Sequence, residues 1–110
     1  MKVEQKGHTT TIKNTQSSTA EFYHKLQREY NSFKSQNIII DLSHDKELTM
    51  DDIKLFNDLT KTHAKAKKSM VLVTNGINFN TVPKNIIVVP TILEAHDIIE
   101  MEEIERDLGF

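Results

Sequence analysis

The chain has 110 residues, no cysteine and a formal net charge of −2, which fits one domain and excludes disulfides, thiolate metal sites and thiol nucleophiles. The N-terminal MKVEQKGHTTTIK has no apolar signal-type core, and no run approaches the ~20 apolar residues that a helix needs to cross a bilayer, so the expectation is a soluble, cytoplasmic protein. Charge is uneven: Met1–Lys68 carries 12 basic and 9 acidic residues, Ser69–Phe110 carries 2 and 7. The basic excess peaks in KTHAKAKK (Lys61–Lys68) and the acidic excess in EMEEIERD (Glu100–Asp107). A nucleic-acid binder would need a broad basic face with stacking aromatics, whereas a cationic run at a helix end opposes the helix dipole.

In chain order, MKVEQK and HTTTIK flank Gly7 and read as two short strands joined at a glycine turn. In SSTAEFYHKLQREYNSF, Ser18 and Glu21 have the spacing of a capping box, and Phe22, Leu26, Tyr30 and Phe33 form one helical stripe. NIIIDL is a continuous β-branched run, as in a strand covered on both faces. Thr49 and Asp52 make a second cap pair, opening a helix whose Ile53, Phe56, Leu59 and His63 share a face. SMVLV (Ser69–Val73) and NIIVV (Asn85–Val89) read as buried strands around a polar loop broken by Gly76 and Pro83. Thr91 and Glu94 open a last helix through Ile92, Ala95, Ile98 and Ile99; it continues or restarts through Met101, Ile104 and Leu108, and Gly109 ends it. The expectation is a single α/β domain over residues 1–110, with a mixed sheet of four to five strands and three to four helices, residues 100–110 forming an acidic helical extension.

Little in the chain supports turnover chemistry. The five histidines are scattered, with no pair at metal-ligand spacing on one element. Ser43, His44 and Asp45 are adjacent in sequence, and such neighbours cannot adopt nucleophile–base–orienter geometry. GxGxxG, GxxxxGK[ST] and GxSxG are all missing. No cofactor and no metal are expected. What remains is the strand-to-helix turn, which delivers Asp41, Ser43 and His44 to the C-terminal edge of a sheet, a place where α/β proteins put ligands and switches.

IIIDLSHDKELTMDDIKLFNDL resembles the central segment of STAS domains, the anti-sigma-factor-antagonist family, in which a strand ending Asp-Leu-Ser leads through a short loop to a helix starting Asp-Ser-Ser-Gly-Leu. SMVLVTN, NIIVVP and TILEAHDII fit that family's order, so the resemblance spans nearly the whole chain. It implies a STAS-like regulatory module without enzymatic activity, docking another protein such as a regulatory kinase or sigma-system component. Ser43, His44, Thr49, Asp51 and Asp52 would form the partner-binding surface. In register, the family's Asp-Ser-Ser-Gly falls on Thr49, Met50, Asp51 and Asp52, so neither phosphoacceptor serine is present and the phosphorylation switch is expected to be lost. Thr49 or Ser43 would replace it only with shifted geometry, and Asp51 would stand as a fixed charge.

A narrower resemblance runs from VVPTILEAHDIIEMEEIERDLGF to the C-terminal end of small Bacteroidetes proteins labelled ribonuclease Z. It raises the alternative of an RNA-processing accessory protein. The HxHxDH ligand cluster which that nuclease needs is missing, so intrinsic cleavage is not expected. In the acidic extension, Ile98, Met101, Ile104 and Leu108 form a stripe with three possible roles: packing on the same domain, pairing with a second copy in a homodimer, or binding another partner.

Overall fold

The computed structural model describes residues 1–15 and 18–109; Ser17, at the start of the first expected helix, and Phe110, at the end of the acidic extension, lie outside them. Five strands, β1 (Lys2–Lys6), β2 (Thr9–Lys13), β3 (Asn37–Asp41), β4 (Met70–Val73) and β5 (Ile87–Val89), lie side by side in chain order. The hairpin β1–β2 is antiparallel and turns at Gly7 with φ +60°, a conformation that glycine adopts without a Cβ penalty. The pairs β2–β3, β3–β4 and β4–β5 are parallel. Helices α1 (Thr19–Glu29), α2 (Met50–Lys54), α3 (Asn57–Lys65) and α4 (Ile92–Asp107) complete an α/β fold with a mixed sheet.

A parallel sheet whose strands follow one another in order requires crossovers of the same hand, which lay α1, α2 and α3 on one face. There Ile12, Ile38, Ile40 and Leu72 pack against Phe22 and Leu26 of α1 and Ile53, Phe56 and Leu59 of the α2–α3 region. Tyr23, outside the expected stripe, is buried with its ring edge-on to Phe56 at 5.0 Å between centroids. On the other face α4 alone covers Ile39, Val71 and Val73, through Ala95 and Ile99. The three isoleucines of β3 are thus divided between two cores by the period-2 alternation of a strand, and all five β3 residues are buried.

Three elements differ from expectation. The helix after Thr49 is two helices: Leu55 N–H and Phe56 N–H bond back three residues, to the carbonyls of Asp52 and Ile53. This tighter turn suits the three-residue steps Ile53–Phe56–Leu59, so the joint keeps those residues and His63 buried. The stripe of α1 ends in a 3₁₀ turn, Tyr30–Ser32, leaving Tyr30 and Phe33 half-buried. The last strand starts at Ile87 rather than Asn85 and is only half-buried, because it lies at the sheet edge with β4 as its one neighbour. At the other edge every β1 residue is exposed, and Lys2, Glu4 and Lys6 alternate along it, a charged pattern that discourages edge-to-edge pairing.

Candidate functional site

The connection from β3 to α2 lies at the C-terminal edge of the parallel strands, next to the connection from β2 to α1: the Asn14 N–H donates to the Asp41 carbonyl at 3.0 Å. Asp41 Oδ1 accepts from the Ser43 N–H at 3.0 Å and the Ser43 hydroxyl at 2.6 Å, an Asx turn that bends the chain off the strand. Asp45 joins two elements. Its Oδ2 accepts from the Thr19 N–H (3.0 Å) and the Thr19 hydroxyl (2.8 Å), and its Oδ1 accepts from the Glu47 N–H (3.0 Å). Burial alone would raise the Asp45 pKa, but the bonds from Thr19 and Glu47, with His44 nearby, bring it below the usual carboxylate value. Asp45 therefore satisfies a free N–H at the start of α1, while Ser18 Oγ accepts from the Glu21 N–H.

At the start of α2 the capping box is complete: Thr49 Oγ1 accepts from the Asp52 N–H (3.3 Å), and Asp52 Oδ2 accepts from the Thr49 N–H (2.9 Å). Ser43 and His44 thus belong to the strand end, and Thr49, Asp51 and Asp52 to the helix start. All five line one connection, but among the described residues no hydrogen bond joins the two groups. The Ser43 hydroxyl is spent on Asp41, and the Thr49 hydroxyl and Asp52 carboxylate on the cap; His44 and Asp51 are exposed, as is the rest of Thr49. Lys46, Glu47 and Lys54 extend this charged rim. At five residues, α2 carries only a weak dipole.

No protein-family model matches the chain, and no curated protein matches it either.

Two further polar assemblies were not legible in the sequence. Fully buried His63 has Nδ1 2.6 Å from the Tyr30 hydroxyl and Nε2 2.8 Å from the Gln36 carbonyl. Fully buried Asn37, at the head of β3, accepts on Oδ1 from the Ser69 N–H (2.9 Å) and from Arg106 Nη2 (3.4 Å), and donates from Nδ2 to Glu103 (3.2 Å). The Ser69 hydroxyl donates to Glu102. These bonds fasten the second half of α4 to the starts of β3 and β4. The polar identity of Asn37 before three isoleucines was a signal available in the sequence; its partners, 32 to 69 residues away, were not.

Among the described residues no three His, Asp or Glu side chains are arranged to hold a metal ion. Among them, too, no helix is long and apolar enough to cross a membrane. Between α4 and the first two strands lies a groove of about 360 Å³ lined by Lys2, Lys6, Lys13, Asp41 and His96 among others. Its lysines line an open rim with Glu4, which pairs with Lys2 at 3.5 Å.

Proposed function

We propose that the chain is a non-enzymatic, STAS-like regulatory module of the cytoplasm that works by docking another protein on the β3–α2 connection. The observation that carries this reading is the division of labour in the turn. Asp41, Asp45, Asp52 and the Thr49 hydroxyl are bound into the scaffold, so they brace the connection, while His44 and Asp51 face solvent around it. A braced loop with outward charged groups suits recognition, because little ordering entropy is lost on binding. Support also comes from the order of elements along the chain and from the placement of Asp-Leu-Ser at the end of β3. With no serine where the family's acceptors stand, Asp51 presents a permanent negative charge in that neighbourhood, and the partner is a regulatory kinase or sigma-system component, or a protein of similar role.

Affinity capture from lysate with wild-type and Asp51→Lys baits tests this. Asp51 is exposed and its carboxylate is not part of the cap, so the variant should lose only about 0.5 kcal/mol of helix–charge stabilisation and keep its thermal transition. Recovery of the partner should fall roughly tenfold, corresponding to about 1.4 kcal/mol. Equal recovery by both baits would remove the turn as the docking site.

A further inference from the structure

Helix α4 is apolar on two opposite sides. At about 100° per residue, Ile92, Ala95 and Ile99 share the side that covers the sheet. Leu93, Met101, Ile104 and Leu108 fall within an arc of about 80° on the far side, spread over about 22 Å of axis. They are 72, 57, 58 and 67% exposed. A layer helix with one core normally turns polar residues outward; α1 does so with Lys25 and Arg28, and α3 with Lys61 and Lys65. The outer stripe of α4 is therefore not explained by this fold.

Its surroundings say what would cover it. Asp97 lies within the stripe, and Glu94, Glu100, Glu105 and Asp107 border it. An open groove of about 660 Å³ beside Ile104 is lined by His8, Glu100, Glu103 and Asp107. The one arginine of the helix, Arg106, is turned inward to Asn37. A second α4 laid on this face would oppose carboxylates to carboxylates, and an anionic bilayer would be repelled. We propose that the outer face of α4 is a docking site for a cationic amphipathic helix of a protein partner, whose apolar residues cover the stripe and whose lysines or arginines meet the acidic frame. The site lies across the sheet from α2 and stands or falls independently of the turn.

The test uses the full chain and a fluorescent leucine–lysine peptide of about 18 residues, patterned as an amphipathic helix, with a leucine–glutamate peptide of the same pattern as control. The lysine peptide should bind, more weakly as salt is added, and should slow amide exchange in Ile92–Leu108. Met101→Gln with Ile104→Gln, and separately Asp97→Lys with Glu100→Lys, should each weaken it at least about tenfold. Because all four positions are exposed, the thermal transition should stay in place. Four results would overturn the proposal: no binding of the lysine peptide, equal binding of the glutamate peptide, protection on the turn instead of α4, or a homodimer that Ile104→Gln dissociates.

Discussion

His63 is fully buried, yet both of its ring nitrogens lie within hydrogen-bond distance of a partner. The spacing Ile53, Phe56, Leu59, His63 puts a histidine on an apolar face, and the structure buries it completely. A carbonyl can only accept, so Nε2 carries the hydrogen that bonds Gln36, and the bare Nδ1 accepts from Tyr30. Burial holds the Tyr30 pKa above the ordinary 10.0 and keeps its hydroxyl a donor. For His63, desolvation pushes the pKa below 6.5; the Gln36 bond opposes this, and Lys68 and Arg106 reinforce it. Between the folded value and 6.5 the unfolded chain binds a proton that the folded chain does not. The His63 contribution is therefore whole above about pH 6.5 and is lost as pH falls through the lower folded value. Denaturant titrations at about pH 7.5 and about pH 5.5 should show the wild type less stable at the lower pH. His63→Gln should cost about 1–3 kcal/mol at the higher pH, from imperfectly paired buried groups, and the fall on acidification should be smaller. An identical fall in both proteins would assign the acid sensitivity to other groups.

At the scale of elements, sequence and structure agree where the determinant is local. The Ser18, Thr49 and Thr91 caps all form, each hydroxyl accepting from the N–H three residues on, because a cap needs only residues within one turn. The same locality explains what was missed: Asp45 reaches Thr19 across 26 residues, and no short-range pattern encodes that. The acidic second half of α4 is a similar case. It continues α4 to Asp107 without a restart; of the expected stripe Ile98 packs against the sheet-facing core, whereas Met101, Ile104 and Leu108 are exposed, and polar bonds fasten the segment. Asn37→Ala should accordingly leave the Ser69 N–H without its Asn37 partner and remove the bonds that Asn37 makes to Glu103 and Arg106. The expected loss is about 1–3 kcal/mol, together with faster amide exchange over Glu100–Leu108 than over Ile92–Ile99. Uniform acceleration along α4 would mean that the helix detaches as a unit and that Asn37 is not its local fastening.

For the whole molecule the asymmetry of the two faces matters most. Three helices share one face, while a single helix guards Ile39, Val71 and Val73 on the other. Removing Ile92–Phe110 should therefore abolish cooperative unfolding and expose an aggregating surface, since each of those side chains contributes about 1.5–3 kcal/mol when fully buried against a total of about 5–15 kcal/mol. Removing only Glu100–Phe110 should lower the thermal midpoint but keep a cooperative transition, because Ala95 and Ile99 remain on the sheet and Met101, Ile104 and Leu108 contribute no core. Calorimetry on the two truncations distinguishes these outcomes; loss of the transition in the shorter truncation would make the second half of α4 part of the core after all.

Element order, the three caps and the buried character of β3 and β4 are written in the chain itself, because these follow from backbone hydrogen-bonding needs and from hydrophobic period within a few residues. By contrast, the commitment of particular turn carboxylates to the scaffold and the outward direction of Ile104, Met101 and Leu108 emerge only in the folded chain. Those outcomes depend on what a side chain meets from distant parts of the chain. An apolar stripe of the same spacing is core or surface according to whether the fold brings another layer over it, and over the outer side of α4 this chain brings none among the described residues.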